Sequence, residues 1–235
     1  MRLTSMKSSS FRGLLASVAL LLTLPAAAQL AVPAGQGDPL KDTTPIKPPA
    51  GAKVAIYEFE DLECPACAHA FPTVHAAVEH YRIPLVRHDF PLRMHIWSLD
   101  AAINARYIQD KISPQAAEEY RRAVFANQTA IASKEDLQAF TQKYFQAHGR
   151  VMPFVVDPSG QFAREVNDDY ELGLRIGLIH TPSIFVATQK QWIQIVDVNQ
   201  LYQTLDTVIA EVGGTSSGRN TAANSKLRHP SATQK

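Results

Sequence analysis

Cysteine is nearly absent from this sequence: Cys64 and Cys67 are the only two in 235 residues. That count excludes a scaffold stapled by several disulfides. It also leaves no second C-x-x-C to complete a four-ligand zinc site, since only His69 could join the pair locally. A c-type haem needs His directly after the second Cys, and Ala68 stands there instead. An excess of one charge is missing too. The 23 Lys and Arg against 22 Asp and Glu leave a net +1, far from the basic balance of a nucleic-acid binder. No internal repeat is present. Beyond the first residues no apolar run approaches the roughly 20 needed to span a bilayer. What remains, with 46% hydrophobic residues, is material for one domain of substantial core.

The beginning carries an address. Arg2, Lys7 and Arg12 precede an apolar run over residues 14–24, and Pro25-Ala26-Ala27-Ala28 supplies small residues for a signal peptidase. This predicts a signal peptide over residues 1–28, cleaved after Ala28, and a periplasmic or otherwise exported product. The apolar run is too short for a membrane anchor, and no cysteine follows it to carry a lipid. Residues 29–51, with five prolines and no amphipathic period, read as an extended linker or arm. From Gly213-Gly214 the chain turns polar, which predicts a disordered tail over 213–235.

Residues 52–212 hold the domain. The β-branched and aromatic run 53–60 (KVAIYEFE) predicts a buried strand leading to the cysteines. A helix follows, with Pro65 in its first turn and Phe71, Val74, Val78 and Tyr81 on one face. Residues 84–90 (PLVRHDF) predict a second strand, parallel to the first in a βαβ unit. Residues 97–177 read as an all-helical insertion. Its start signals are Ser113-Pro114, Ser133 with Asp136, and Asp157-Pro158, and Gly149 is a stop. Residues 183–187 and 192–198 predict two more strands, and 199–212 a last helix. The order βαβ, helical insertion, ββα leaves a small α/β core once the insertion is removed.

Cys64-Pro65-Ala66-Cys67 falls where a strand hands over to a helix. There the first sulfur meets unpaired N–H groups and the positive end of the helix dipole, which favour a thiolate. A stabilised thiolate is a good leaving group in exchange. Cys67, one turn into the helix, is expected to be more buried and to resolve intermediates. A structural bridge closing so short a loop would remove little entropy from the unfolded chain.

The run EFEDLECPAC, the HDFPL strand end, the helical insertion and His180-Thr181-Pro182 resemble the DsbA family of periplasmic disulfide oxidoreductases, over about residues 50–212. The resemblance implies a thioredoxin-like fold, an exposed nucleophile at Cys64 with Cys67 as its partner, and a cis Thr181-Pro182 bond set against the disulfide. Thr181, Pro182, Pro65 and Ala66 would then meet substrate, with the backbone of Thr181 pairing with an extended peptide. It also implies a carboxyl at Glu58 beneath the disulfide, relaying the proton of Cys67. The alternative is that Glu58 points to solvent and Glu60 or Asp61 is a rim charge. Trp97 and Met94 read as core, and His69, His88, His95 and His180 as structural or surface residues. The family's best-known members carry Pro-His between the cysteines; Pro65-Ala66 offers no such imidazole, so a less oxidising pair is expected.

The function expected is an exported thiol–disulfide oxidoreductase that introduces disulfides by exchange at Cys64 and Cys67. Its partners would be unfolded or reduced exported proteins and a membrane redox partner, a quinone-linked oxidase. No flavin, nicotinamide, metal or nucleic acid is implied. A reductase or isomerase of the same fold, or a peptide-binding chaperone with incidental cysteines, stands as the alternative.

Overall fold

A computed structural model describes residues 38–224, with side chains through residue 213. The predicted signal peptide, the start of the arm and residues 225–235 lie outside the described residues.

β1 (Val54–Glu60) is the central strand, buried along all seven residues, as a strand covered on both faces must be. It pairs in parallel with β2 (Leu85–Asp89) and antiparallel with β3 (Ser183–Thr188), which in turn pairs antiparallel with β4 (Trp192–Ile195). The order β2-β1-β3-β4 makes one mixed sheet. Side chains alternate across it. Val54 and Ile56 pack with α1 (Pro65–Tyr81) and α6 (Leu201–Asn224), while Ala55, Tyr57 and Phe59 pack with the end of α5 (Gln161–Ile176). The same period places Glu58 and Glu60 on the α1 side.

α2 (Ser98–Lys111), α3 (Pro114–Asn127) and α4 (Lys134–Ala147) share one apolar core with the N-terminal turn of α1. That core contains Leu62, Cys64, Cys67, Phe71, Trp97, Tyr120 and Phe125. The cysteines therefore sit on the seam between the sheet and the helical insertion. Ser113 and Ser133 cap their helices, accepting from the Ala116 and Asp136 N–H groups at 3.0 Å each.

Four boundaries differ from the sequence reading. α5 starts at Gln161 rather than at Asp157-Pro158, because Gly160 turns the chain at φ +66° and Asp157 caps at a distance, accepting from the Ala163 N–H at 2.8 Å. β4 stops at Ile195, and residues 198–200 wind into a 3₁₀ turn closed by Asp197. α6 begins at Leu201 and runs on to Asn224, so no break occurs at Gly213-Gly214: an established helix extends without a new nucleus, even though each glycine costs about 1 kcal/mol relative to alanine. The described end of the arm is no free linker. Ile46 is buried in the core and Lys41 N–H bonds the Ile176 carbonyl at 2.7 Å. Pro39 approaches so closely that a Cβ on Gly177 would lie 2.7 Å from its carbonyl oxygen.

Candidate active site

β1 ends at Glu60, the turn 61–63 follows, and α1 opens with Cys64 as its N-cap residue and Pro65 in the first turn. No side chain caps this end, so the sulfur of Cys64 is placed at the helix N-terminus without competition. Cys64 and Cys67 are both free thiols. Cys64 Sγ–H points to the Thr181 carbonyl at 3.4 Å, and the Asp61 N–H points to Cys67 Sγ at 3.4 Å. Thr181-Pro182 is a cis peptide bond. The loop carrying it is pinned by Asp38 of the arm, which accepts from Ile179 N–H and Ser183 Oγ at 3.2 Å each and lies 3.3 Å from His180 Nε2.

These contacts split the two thiols. Hydrogen bonding from the Cys67 side chain, then from the Thr181 hydroxyl and the Cys67 N–H, brings Cys64 down to about 6 against the opposition of burial and Asp61. The Thr181 hydroxyl has no oxygen or nitrogen partner among the described residues, so a thiolate at Cys64 supplies one. Burial, and then the neighbouring Cys64, push Cys67 well above the ordinary thiol range. The two sulfurs are thus set apart, Cys64 the readier to ionise and Cys67 the one that holds its proton.

Cys64 is not exposed, as the resemblance implies, but 2% accessible. The Thr181 carbonyl lies against its sulfur, and Gln128 Nε2 bridges the Leu62 and Cys64 carbonyls at 2.7 and 3.1 Å. Of the other residues read as substrate-binding, Thr181 is buried, Pro182 and Ala66 are half-buried and Pro65 is exposed.

Glu58 is fully buried, and neither carboxyl oxygen has a partner among the described residues. Burial, followed by the charge of Glu60, raises it to about 8, with Arg87 and Arg121 opposing. It does not point to solvent, and Glu60 and Asp61 are no rim charges: each is 1% exposed. Between Glu58 and the cysteines stands Glu60, whose charge is among those raising Cys67. Glu60 Oε1 takes Arg121 Nη1 at 2.7 Å and Arg87 Nε at 3.2 Å. Arg121, itself buried, also holds Asp89 at 2.8 Å, and Arg106 reaches Asp89 at 2.5 Å and ion-pairs with Asp169. Burial alone would raise Asp89, yet Arg121 and Arg106 hold it down near 2.

The sequence reading missed Asp61, Arg121, Gln128 and Asp38, and took His95 for a bystander. Asp61 Oδ2 accepts from His95 Nδ1 and Leu92 N–H at 2.7 Å each, and its Oδ1 from Glu63 N–H at 2.7 Å. The signal available was an acidic residue three positions before the first cysteine; nothing local pointed to its distant partner. Trp97 is core, as read, but Met94 is 74% exposed. His69 is exposed on α1.

Residues 49–207 match the thioredoxin family, and the chain belongs to it. Several solved proteins are similar to this chain in fold. Proteus mirabilis ScsC in a transitional conformation aligns at 17% identity over 70% of this chain and 71% of that one, with a TM-score of 0.55. Pseudomonas aeruginosa DsbA2 aligns at 19% identity over 71% and 92%, with a TM-score of 0.53. The thiol-disulfide exchange protein alpha-DsbA2 from Wolbachia pipientis aligns at 14% identity over 69% and 85%, with a TM-score of 0.51. No curated protein matches the sequence. The fold is therefore the thioredoxin-like fold that the EFEDLECPAC run implied.

Proposed function

We propose that the protein is an exported thiol–disulfide oxidoreductase that introduces disulfides into other exported proteins. The observation carrying this reading is the split between its two sulfurs, Cys64 lowered to about 6 and Cys67 raised, at the N-terminus of α1 under Thr181. A low-pKa Cys64 leaves readily as a thiolate, which stabilises the reduced protein and makes the disulfide an acceptor of electrons. The likeness of the fold to a Wolbachia thiol-disulfide exchange protein supports it.

The reaction starts from the Cys64–Cys67 disulfide. A substrate thiolate attacks Cys64 Sγ, the S–S bond breaks, and Cys67 departs and takes up a proton. A second substrate thiolate then attacks the substrate sulfur of the mixed disulfide and expels Cys64 as a thiolate. Two electrons pass from the substrate dithiol to the pair; of the two substrate protons one ends on Cys67 and one in solvent. Glu58, protonated at neutral pH, is the proton store that serves Cys67 and is refilled by the substrate proton, with Glu60 between them.

Met94 and Ile96, flanking His95, and Ile179, two residues before Thr181, expose apolar surface of the kind that unfolded chains match. An extended peptide would add to the backbone at Thr181. Reoxidation requires an electron acceptor, for which a membrane quinone-linked oxidase is the proposed partner. The test is complementation of a strain lacking its disulfide-forming oxidant. The protein is expected to restore disulfides and Cys64→Ala to restore none; retained complementation by Cys64→Ala contradicts a redox role.

A further inference from the structure

The C-x-x-C of this chain offers no imidazole between its cysteines, yet an imidazole reaches the site from elsewhere. His95 lies in the segment between β2 and α2, and its Nδ1 is 2.7 Å from Asp61 Oδ2. Asp61 is the residue that holds both cysteines. Its carbonyl accepts from the Cys64 N–H at 3.0 Å and its N–H donates to Cys67 Sγ. Its carboxylate is wholly inaccessible, and also fixes Glu63 N–H and Leu92 N–H, so the dyad is rigidly attached to the active-site turn. The His95 side chain is 16% exposed, and Nε2 has no hydrogen-bond partner among the described residues. Glu63, the other carboxylate of the turn, is occupied by the Trp97 N–H at 2.7 Å.

We propose that His95, oriented by Asp61, is a positioning residue of the dithiol: its imidazolium cancels the Asp61 carboxylate and favours the Cys64 thiolate, supplying from a distant loop the charge that Ala66 does not. The inference rests on the oxidoreductase reading and assigns the residue that tunes it. With His95 protonated the dyad is neutral. With His95 neutral it carries one negative charge beside Cys64, and that charge opposes a thiolate.

The other groups around Cys64 cannot play this part. Cys67 and Thr181 are hydrogen-bond donors without charge, Gln128 is neutral, and Glu63 is anionic. His180 on the neighbouring loop is paired with Asp38, and His69 is exposed on the helix surface. The electrostatics are reciprocal. The hydrogen bond to Asp61 comes first in raising His95 above its ordinary value, and the charges of Asp61, Glu63 and Cys64 add to it. The coupling therefore reaches to higher pH than an ordinary imidazole would carry it. The help given to the thiolate is full while His95 is protonated and is lost as the pH rises through its elevated value.

Two measurements test the dyad. The first is the thiolate absorbance of the reduced full chain against pH, for the wild type, for His95→Asn, and for His95→Asn with Ala66→His. Asn keeps a donor for Asp61 but cannot become a cation. The expected result is a roughly tenfold fall in the ionisation constant of Cys64, reversed by Ala66→His. An unchanged titration in His95→Asn overturns the proposal. The second measurement stands if that variant does not fold: the His95 ring titration in the wild type by NMR, reduced and oxidised. A higher value in the reduced protein is expected; equal values contradict the linkage. Failure of the wild type to exchange with a peptide dithiol would instead overturn the oxidoreductase reading, with both titrations still readable.

Discussion

At the scale of single residues, Glu58 is the least comfortable group in the molecule. Its carboxyl is fully buried and unpartnered, and it takes up a proton at a pH where any exposed glutamate has lost one. The sign of its effect on stability follows. In the unfolded chain the group ionises near its ordinary 4.5, whereas in the folded protein it stays protonated to about 8. Folded protein thus binds more protons across that window, and stability falls as pH rises through it. Glu58→Gln removes the penalty. It is expected to gain about 1–3 kcal/mol at pH 7 and little at pH 4, measured by denaturant unfolding at both. If Glu58 is also the proton store, the same variant slows departure of Cys67 in stopped-flow exchange. Equal stabilisation at both pH values would show that the carboxyl is not protonated in the fold.

Among the elements, the junction of β1, β2 and α3 is bound by charge. Arg121 of α3 lies between Glu60 of β1 and Asp89 of β2, all three buried. Such a triad adds little net stability, but removing one member leaves uncompensated charges in a low-dielectric site. Arg121→Met is expected to cost about 3–5 kcal/mol, read as a lower denaturation midpoint. A loss below about 1 kcal/mol would mean that water reaches the carboxylates. This junction also shows where sequence reading stops. The β1–turn–α1 unit was legible because strand alternation, Pro65 in the first turn and the cysteine spacing are local signals. Arg121 is 61 residues from Glu60 and 32 from Asp89, and His95 is 34 from Asp61. No period or spacing relates residues so far apart. A rim charge at Glu60 or Asp61 stood as the alternative because the groups that pair with them come from other elements.

For the whole molecule, the helical insertion does more than decorate a thioredoxin core. Phe71 of α1 and both cysteines belong to the same apolar cluster as Trp97, Tyr120 and Phe125 of the inserted segment. The arm closes the other side, where Asp38 fixes the loop that ends in Thr181 and Pro182. The arm was the poorest-read segment, since prolines and glycines report the absence of helix and strand but not what an extended chain packs against. The insertion was well read as a block, and its Asp157-Pro158 start was misplaced because Gly160, not the proline, sets the turn.

On the proposed reading, the insertion, the loop and the arm together make this C-x-x-C an electron acceptor. The reduction potential of the Cys64/Cys67 pair, measured at equilibrium with glutathione, tests it most directly. A value between about −120 mV for the strong oxidant DsbA and about −270 mV for thioredoxin is expected, because the Cys64 thiolate is stabilised but without an imidazole inside the motif. A value at or below that of thioredoxin would contradict the assignment as an oxidant and make the pair a donor of electrons.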